Sequence, residues 1–459
     1  MIFILALLSR LVFIYFTSDD AFITYKYVDN LIAGKGFVYN EGERVLGTTS
    51  PLYALILSLF GVVGGDYIFL GKLFCIILSS LGCCILYLIL YEEISPEVGL
   101  AGGLLSALSQ HLVIWSASGL ETGFSIFLGL FSILLYKKSK YIYAGILLGL
   151  AILTRVDNGI LAFVVVLYYI WINRKIPWTF LLSSAIVLIP WLVFSYSYYG
   201  TLIPNSVIAK FSVYKGTSEV TSLITKLGVF FGKPDKILFS LLVLLGIIKI
   251  KDIKKTITIL YAWSGLHLIS ILISEGYIFE WYYAPIMPGY AALAAVGVVE
   301  LCRKASSKVR IEEKKLFIFA LCFLVLLLSA RLYYQNNNYK RYQRTMEEVH
   351  KSIGIWLNDT SLENETILAS DIGYMGFYSK RKLIDWMGLI SPEILKYYKN
   401  GNIEDVPRDF KPDYIVLGEY DFLYKKIVDN EFFQNNYILI KTFESNDSVY
   451  NIWKITGHG

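Results

Sequence analysis

The sequence predicts a mainly α, polytopic membrane helix bundle of about eleven spans plus a half-span. Interfacial helices occupy its first outer loop, and a small extracytoplasmic α/β domain ends the chain. Three observations predict this. Hydrophobic residues make up 56% of the 459 residues and charged residues only 17%, at a mean hydropathy of +0.55, which is more apolar surface than one soluble core hides. Apolar segments of near-spanning length recur through the first 334 residues. After Arg331 the composition turns polar, and short apolar runs alternate with helical patterns.

The apolar segments fall at roughly 1 to 16, 67 to 90, 97 to 116, 120 to 136, 141 to 154, 158 to 172, 177 to 198, 236 to 250, 255 to 274, 281 to 301 and 315 to 334. No small-residue cleavage site follows the first, so it is read as a retained span rather than a secretory signal. Pro51 to Val63 is different. About 13 residues at about 1.5 Å rise cover about 20 Å of a core of about 30 Å, and Gly61, Gly64 and Gly65 break the run, so it reads as a half-span or re-entrant helix.

Basic loops set the orientation, because Lys/Arg-rich short loops stay in the cytoplasm. They are Lys137, Lys138 and Lys140; Arg174 and Lys175; Lys249, Lys251, Lys254 and Lys255; and Arg303 through Lys315. If Pro51 to Val63 does not cross, all four share one side. The expected protein is therefore a multi-pass component of the cell (plasma) membrane with a cytoplasmic N-terminus. Residues 1–334 form the membrane module, and residues 335–459 form the outer α/β domain, with strands at TILAS, KLIDW, DYIVL and YILIKTF and a helical segment at SPEILKYYKN.

A net charge of +5 is small for this length, and its carriers sit in short loops, so no nucleic-acid partner is expected. Membrane lipids are the expected surroundings. Cys75, Cys83, Cys84, Cys302 and Cys322 all lie in or beside apolar segments without a CxxC pattern, and the polar C-terminal region has no cysteine for a disulfide framework.

The predicted outer face collects most of the chemically interesting residues, beginning with Asp19 and Asp20 where the first apolar run ends. Ser18 suits an N-cap for a helix starting at Asp19, and acidic residues suit its positive end. Phe22, Ile23, Tyr25, Val28, Leu31 and Ile32 recur near helical spacing and leave Thr24, Lys26, Asp29 and Asn30 as a polar side, the pattern of an interfacial helix. Gly34 to Gly36 stops it. The two acids read either as helix capping at a solvated boundary or as a general base on a hydroxyl, since desolvation and a neighbouring carboxylate lift a carboxyl pKa toward the working range. A third use, a divalent cation held between Asp19 and Asp20, is left open.

The string DDAFITYKYVDNLIAGKGFVYNEGERVLGTTSPLYALIL resembles the first outer loop of polytopic glycosyltransferases of the C-type superfamily (GT-C), closest to the branch of bacterial cell-wall arabinofuranosyltransferases and related lipid-linked-sugar transferases. The carriers are Asp19 and Asp20; Gly34, Gly36, Asn40, Gly42, Glu43, Arg44 and Val45; and Thr49, Ser50, Pro51, Leu52 and Tyr53. Further along, SGLET at Ser118 to Thr122 resembles S-G-M-E-T, with Leu120 for methionine. LTRVDNG at Leu153 to Gly159 resembles T-R-P-D-G, with Val156 for proline and Asn158 inserted. YYGTLIPNSVIAK, Tyr198 to Lys210, and SDIGYMGFYSKRKLIDWMGLISPEI, Ser370 to Ile394, resemble two further elements of the superfamily.

The resemblance implies a polyprenyl-phosphate sugar as donor and an acceptor hydroxyl on a glycan, lipid or protein. It implies a base at Asp19 or Asp20, donor-phosphate contacts from Arg155, Lys210 and Arg44, and substrate contacts from Glu121, Asp157, Tyr53 and Asn205. Each has a plainer alternative. Glu121 alone reads as a solvated helix end, Arg155 and Asp157 as a structural ion pair between two short spans, and Lys210 and Arg44 as headgroup anchors. His267 reads as a hydrogen-bonding residue of the bundle, and Glu275, Glu280, Trp281, Tyr282 and Tyr283 as an aromatic belt or a sugar-stacking wall, the belt preferred. Sequons occur at Asn358, Asn364 and Asn446. The competing function is a transporter or flippase of a lipid-linked glycan, which predicts an internal repeat and charges marking a route across, and a non-catalytic scaffold would leave the acidic pair dispensable. Neither a clear repeat nor such a route is visible.

Overall fold

The computed structural model describes residues 1–213, 223–250, 255–274, 277–445 and 448–456. Lys251, Lys254, Glu275 and the sequon at Asn446 lie outside them. Each expected apolar segment is helical. The helices are Ile2–Leu11, Tyr67–Glu93, Pro96–Ala107 with Gln110–Ala117, Thr122–Lys137, Tyr141–Thr154, Gly159–Asn173, Trp178–Tyr199, Pro234–Ile248, Ile257–Ile273, Met287–Val309 and Glu313–Thr345. Among the described residues, five helices are long and apolar enough to cross a bilayer alone, or up to six when the pair bent by 48° after Ala107 counts as one span, and the rest are shorter apolar helices. The chain is a multi-pass membrane protein. Pro51–Val62 is a helix of 12 residues, as short as its glycines predicted.

The chain divides into two compact units. The first comprises Met1–Phe16, Phe69–Trp191 and Gly216–Asn337. Its core is an aliphatic and aromatic cluster that includes Leu86, Ile133, Leu161 and Trp263. Helices Pro234–Ile248 and Met287–Val309 approach to backbone contact because Gly246 faces Leu293 and Gly297 faces Leu242, and a Cβ at either glycine would overlap a carbonyl oxygen. Several basic loops meet acidic partners in this unit. Glu92 takes both Lys137 and Lys138, Lys255 Nζ donates to the Glu93 carbonyl, and Glu300 takes Arg303 and Lys249.

The second unit comprises Thr17–Ile68, Leu192–Lys215 and Asn338–Gly459. The expected C-terminal domain thus groups with the first loop and with the segment before Lys210. Its sheet has five strands, β1 Thr366–Ala369, β2 Lys382–Asp385, β3 Tyr414–Gly418, β4 Tyr437–Ser445 and β5 Ser448–Ile455, in the order β2-β1-β3-β5-β4. β2, β1 and β3 run parallel, while β5 is antiparallel to both β3 and β4. The parallel register pairs Ala369 with Asp385 and with Val416, so the loops after β1 and β2 leave the sheet side by side. Helix Tyr374–Ser379 fills the crossover between them.

Candidate active site

Helix Asp19–Ile32 begins at the two acids, as its pattern predicts, with Ser18 at the N-cap in extended backbone. The Ser18 hydroxyl makes no capping hydrogen bond. The polar side is a correction: Thr24, Lys26 and Asn30 are 6, 9 and 8% exposed, and only Asp29 reaches solvent freely. The helix is enclosed on several sides rather than floating with one face in water. Asn30 Nδ2 donates to the carbonyls of Val38 (2.9 Å) and Tyr39 (2.8 Å), which folds the following loop back onto the helix. Gly34 and Gly36 stop the helix with positive φ, 75° and 95°.

An aromatic cluster joins this helix to the crossover helix Tyr374–Ser379. The Phe22 ring lies 4.0 Å from Tyr374 and 5.2 Å from Phe377, centroid to centroid. That packing brings Asp19 to the start of the crossover helix, where N–H groups lack helical partners. Asp19 Oδ1 accepts from Tyr374 N–H at 2.9 Å and Oδ2 from Gly373 N–H at 3.1 Å. Gln343 braces the arrangement, accepting from Thr17 N–H (2.9 Å) and donating to the Tyr374 hydroxyl (3.0 Å).

Asp19 is pushed up to about 8. Desolvation is the largest cause and the negative charge of Asp371 the next, while the two N–H bonds pull it back down and Asp20 adds a smaller upward push. Asp19 as a residue is half-buried. Asp20 instead faces Lys210 Nζ at 3.6 Å, a long and partly exposed pair.

Glycine at 373 is forced by space. A Cβ there would overlap both the carboxylate and the carbonyl oxygen of Asp19. Gly373→Ala is therefore expected to displace Asp19 and cut turnover at least about tenfold, because reactive groups tolerate only small displacements. Turnover together with a thermal melt checks this, with the fold expected to survive.

The other predicted positions of this unit lie apart from the Asp19 carboxylate in their contacts. Asn205 donates from Nδ2 to the carbonyls of Gly388 (2.5 Å) and Leu389 (2.9 Å) and from its backbone to Leu46 (2.7 Å). Those carbonyls belong to the loop that Asp385 organises by accepting from Met387, Leu389 and Ile390 N–H. Tyr53 is fully buried. Arg44 is exposed and lies over the Tyr198 ring at 4.5 Å.

In the first unit, Glu121, Arg155 and Asp157 form a buried triad. Arg155 Nη1 donates to Glu121 at 2.9 Å and Nη2 to Asp157 at 2.8 Å. Glu121 is 4% exposed and so is no solvated helix end. The inserted Asn158 closes the turn by donating to Ser125 Oγ (2.7 Å) and to the Ala151 carbonyl (2.9 Å). One expectation nearby needs correction: Trp281 and Tyr283 are buried against Trp115 and His111 rather than forming a belt.

Sequence reasoning missed Asp371 and Asp385. Asp371 accepts from the Tyr450 hydroxyl at 2.5 Å. Both lie at the carboxyl ends of adjacent parallel strands, Asp385 as the last residue of β2 and Asp371 two residues past β1, and this is the edge where α/β sheets place their ligands. That position was the available signal. Arg10 was missed too: its buried guanidinium donates to Ser79 Oγ (2.9 Å) and to the Ala6 and Ala107 carbonyls (3.0 and 3.1 Å). For a divalent cation the donor set fits poorly. Both Asp19 oxygens already take N–H groups, Lys210 competes for Asp20, and among the described residues no group of three or more His, Cys, Asp or Glu side chains is placed to hold a metal.

A family model described as dolichyl-phosphate-mannose-protein mannosyltransferase matches residues 48–195, and one described as a domain of unknown function matches residues 335–454. The terminal beta-(1->2)-arabinofuranosyltransferase of Mycobacterium tuberculosis is 26% identical over 221 residues, 42% of this chain and 34% of that protein. The chain thus spans about a third of the length of that curated relative. ArnT from Cupriavidus metallidurans, solved bound to undecaprenyl phosphate, superposes with a TM-score of 0.61 at 10% identity over 98% of this chain and 97% of ArnT. AglB from Archaeoglobus fulgidus, solved in complex with an inhibitory peptide and a dolichol-phosphate, gives 0.59 at 13% identity over 90% and 68%. At such identities the likeness is one of fold. The family match, the arabinofuranosyltransferase relative and this shared fold together support a polytopic membrane glycosyltransferase of the C-type superfamily.

Proposed function

We propose that the chain moves a sugar from a polyprenyl-phosphate donor to an acceptor hydroxyl on the extracytoplasmic face, extending a cell-envelope glycan, glycolipid or glycoprotein. The observation that carries the reading is Asp19 itself. Its carboxylate is held in place by two N–H groups in a half-buried residue, and its proton affinity is raised into the neutral range. In this reading Asp19 takes the acceptor proton as the hydroxyl oxygen bonds to the anomeric carbon. The bond from that carbon to the phosphate oxygen breaks, and the lipid phosphate leaves with the electron pair. Lys210, loosely held by Asp20, neutralises the growing phosphate charge, with Arg44 as a second cation of the same unit. Arg155 meets a phosphate only by exchanging Glu121 or Asp157 for phosphate oxygens.

The lipid phosphates in the ArnT and AglB structures support a lipid-phosphate donor. The contacts among basic loops support a common, cytoplasmic side for them. Purified protein in lipid nanodiscs, supplied with polyprenyl-phosphate sugars and candidate acceptors, tests the reading by mass spectrometry. Transfer is expected, and movement of the lipid-linked sugar across the bilayer without chemical change contradicts it. Lys210→Ala is expected to lower kcat/KM for the donor about tenfold or more, while the acceptor KM changes little.

A further inference from the structure

The loop that follows β1 joins two parts of the candidate site. Asp371, two residues beyond the strand, turns its charge on Asp19, and Gly373 and Tyr374 donate the N–H groups that hold the Asp19 carboxylate. We propose that Tyr450 on β5 is a positioning residue for Asp19: its hydroxyl fixes the Asp371 carboxylate in place and so sets the negative charge that Asp19 meets. The proposal rests on the reading of Asp19 as the base and adds the residue that places its charged neighbour.

The sheet explains the reach. Tyr450 stands opposite Gly418 in the antiparallel register of β3 and β5, and directly opposed residues share one face. In the parallel register of β1 and β3, Ala369 is level with Val416, which brings Asp371, two residues on, level with Gly418. Tyr450, Gly418 and Asp371 thus fall in one row across β5, β3 and the end of β1. The missing side chain at 418 opens the way along that row. A Cβ there would come within 3.1 Å of the Tyr450 ring, so the phenol lies over bare backbone, and its hydroxyl donates to Asp371 Oδ2 at 2.5 Å. The buried His350, on the helical turn Met346–Lys351, packs its ring edge-on against the phenol with centroids 4.8 Å apart. Further along the loop, the Tyr39 hydroxyl donates to the Ile372 carbonyl at 2.5 Å, so the loop is tied on both sides of its centre.

Holding this carboxylate matters because of what surrounds it. The titratable groups that face Asp371 are Asp19, Asp385, Asp421, Tyr342, His350 and Tyr450. Those that face Asp19 are Asp20, Asp371, Tyr39, Tyr342, Tyr374 and Tyr450, and Asp20 is itself paired with Lys210. Three of the groups around Asp371 are carboxyls, and a charge-assisted bond from a phenol holds its carboxylate against them. Burial, and then the Asp371 charge, raise the Tyr450 phenol well above its ordinary value, so it remains a donor throughout the working range. With the hydroxyl removed, the Asp371 carboxylate is free to turn toward water, and its push on Asp19 falls.

The test follows the protonation of Asp19 in the full chain in detergent. Dicyclohexylcarbodiimide reacts with protonated carboxyls, and peptide mass spectrometry reads its label at Asp19 as a function of pH. In the unaltered protein the label is expected to fall through about pH 8. Tyr450→Phe is expected to move that fall to lower pH by about half a pH unit or more, in the same direction as Asp371→Asn. In the Asp371→Asn background Tyr450→Phe is expected to move it no further, because a residue that acts through Asp371 has nothing left to act on. Should Tyr450→Phe not fold, Gly418→Ala decides: it crowds the ring while keeping the hydroxyl, and a fall displaced to lower pH is again expected. The proposal is overturned if Tyr450→Phe, or Gly418→Ala in its place, leaves the fall where it is, or if Tyr450→Phe shifts it equally with and without the Asp371 charge. Because the label reports Asp19 directly, a transfer rate that ignores this titration counts against the base reading and not against the hold of Tyr450 on Asp371.

Discussion

Asp19→Asn is expected to slow sugar transfer by about a hundred- to ten-thousand-fold, the range a positioned general base contributes. The substitution keeps the shape and one acceptor oxygen for the crossover-helix N–H groups, so the melting temperature is expected to move little. Asp20→Asn is expected to cost less, because Asp20 acts through its pair with Lys210. If Asp19 served only to anchor the helix Tyr374–Ser379, the order would reverse, with melting lowered and turnover per folded molecule preserved. Measuring rate and melt on the same preparation separates the two roles.

Arg155→Ala is expected to produce the largest loss of stability, about 3–5 kcal/mol, seen as a lower melting temperature in detergent. The reason is not the lost pair energy but the two carboxylates left behind. Glu121 and Asp157 share one guanidinium in a site where Arg155 is 7% exposed, and removing it strands both. Changing Glu121 to Gln in the Arg155→Ala background is expected to recover part of the loss. A donor-phosphate role for Arg155 adds a separate signature, an altered donor KM in whatever fraction remains folded.

The apolar helices and four of the five strands were legible because each follows a one-dimensional pattern: long apolar runs, or short apolar runs between polar turns. β5 was not read. Its residues, SVYNIWKI, mix polar and aromatic side chains, and its burial comes from lying between β3 and β4. Lys26 and Asn30 were assigned to a wet face because helical periodicity reports one contrast around an axis, whereas this helix is covered on more than one side. The pairing of Arg155 with Asp157 was visible by adjacency, but Glu121 lies 34 positions away and joins only through the fold. Asp19 was visible as a candidate. What raises its proton affinity was not, because Asp371 lies at the end of a strand some 350 residues later in the chain.

That dependence offers the most direct test. A general base works deprotonated, and Asp19 is raised to about 8, so transfer measured in single turnover is expected to rise with pH through about that value and level off above it. Removing the charge of Asp371 lowers the proton affinity of Asp19, so Asp371→Asn is expected to move the rising limb to lower pH while keeping the plateau. A profile already flat from pH 5 upward, or a limb that stays in place in Asp371→Asn, would contradict the assignment of Asp19 as the base.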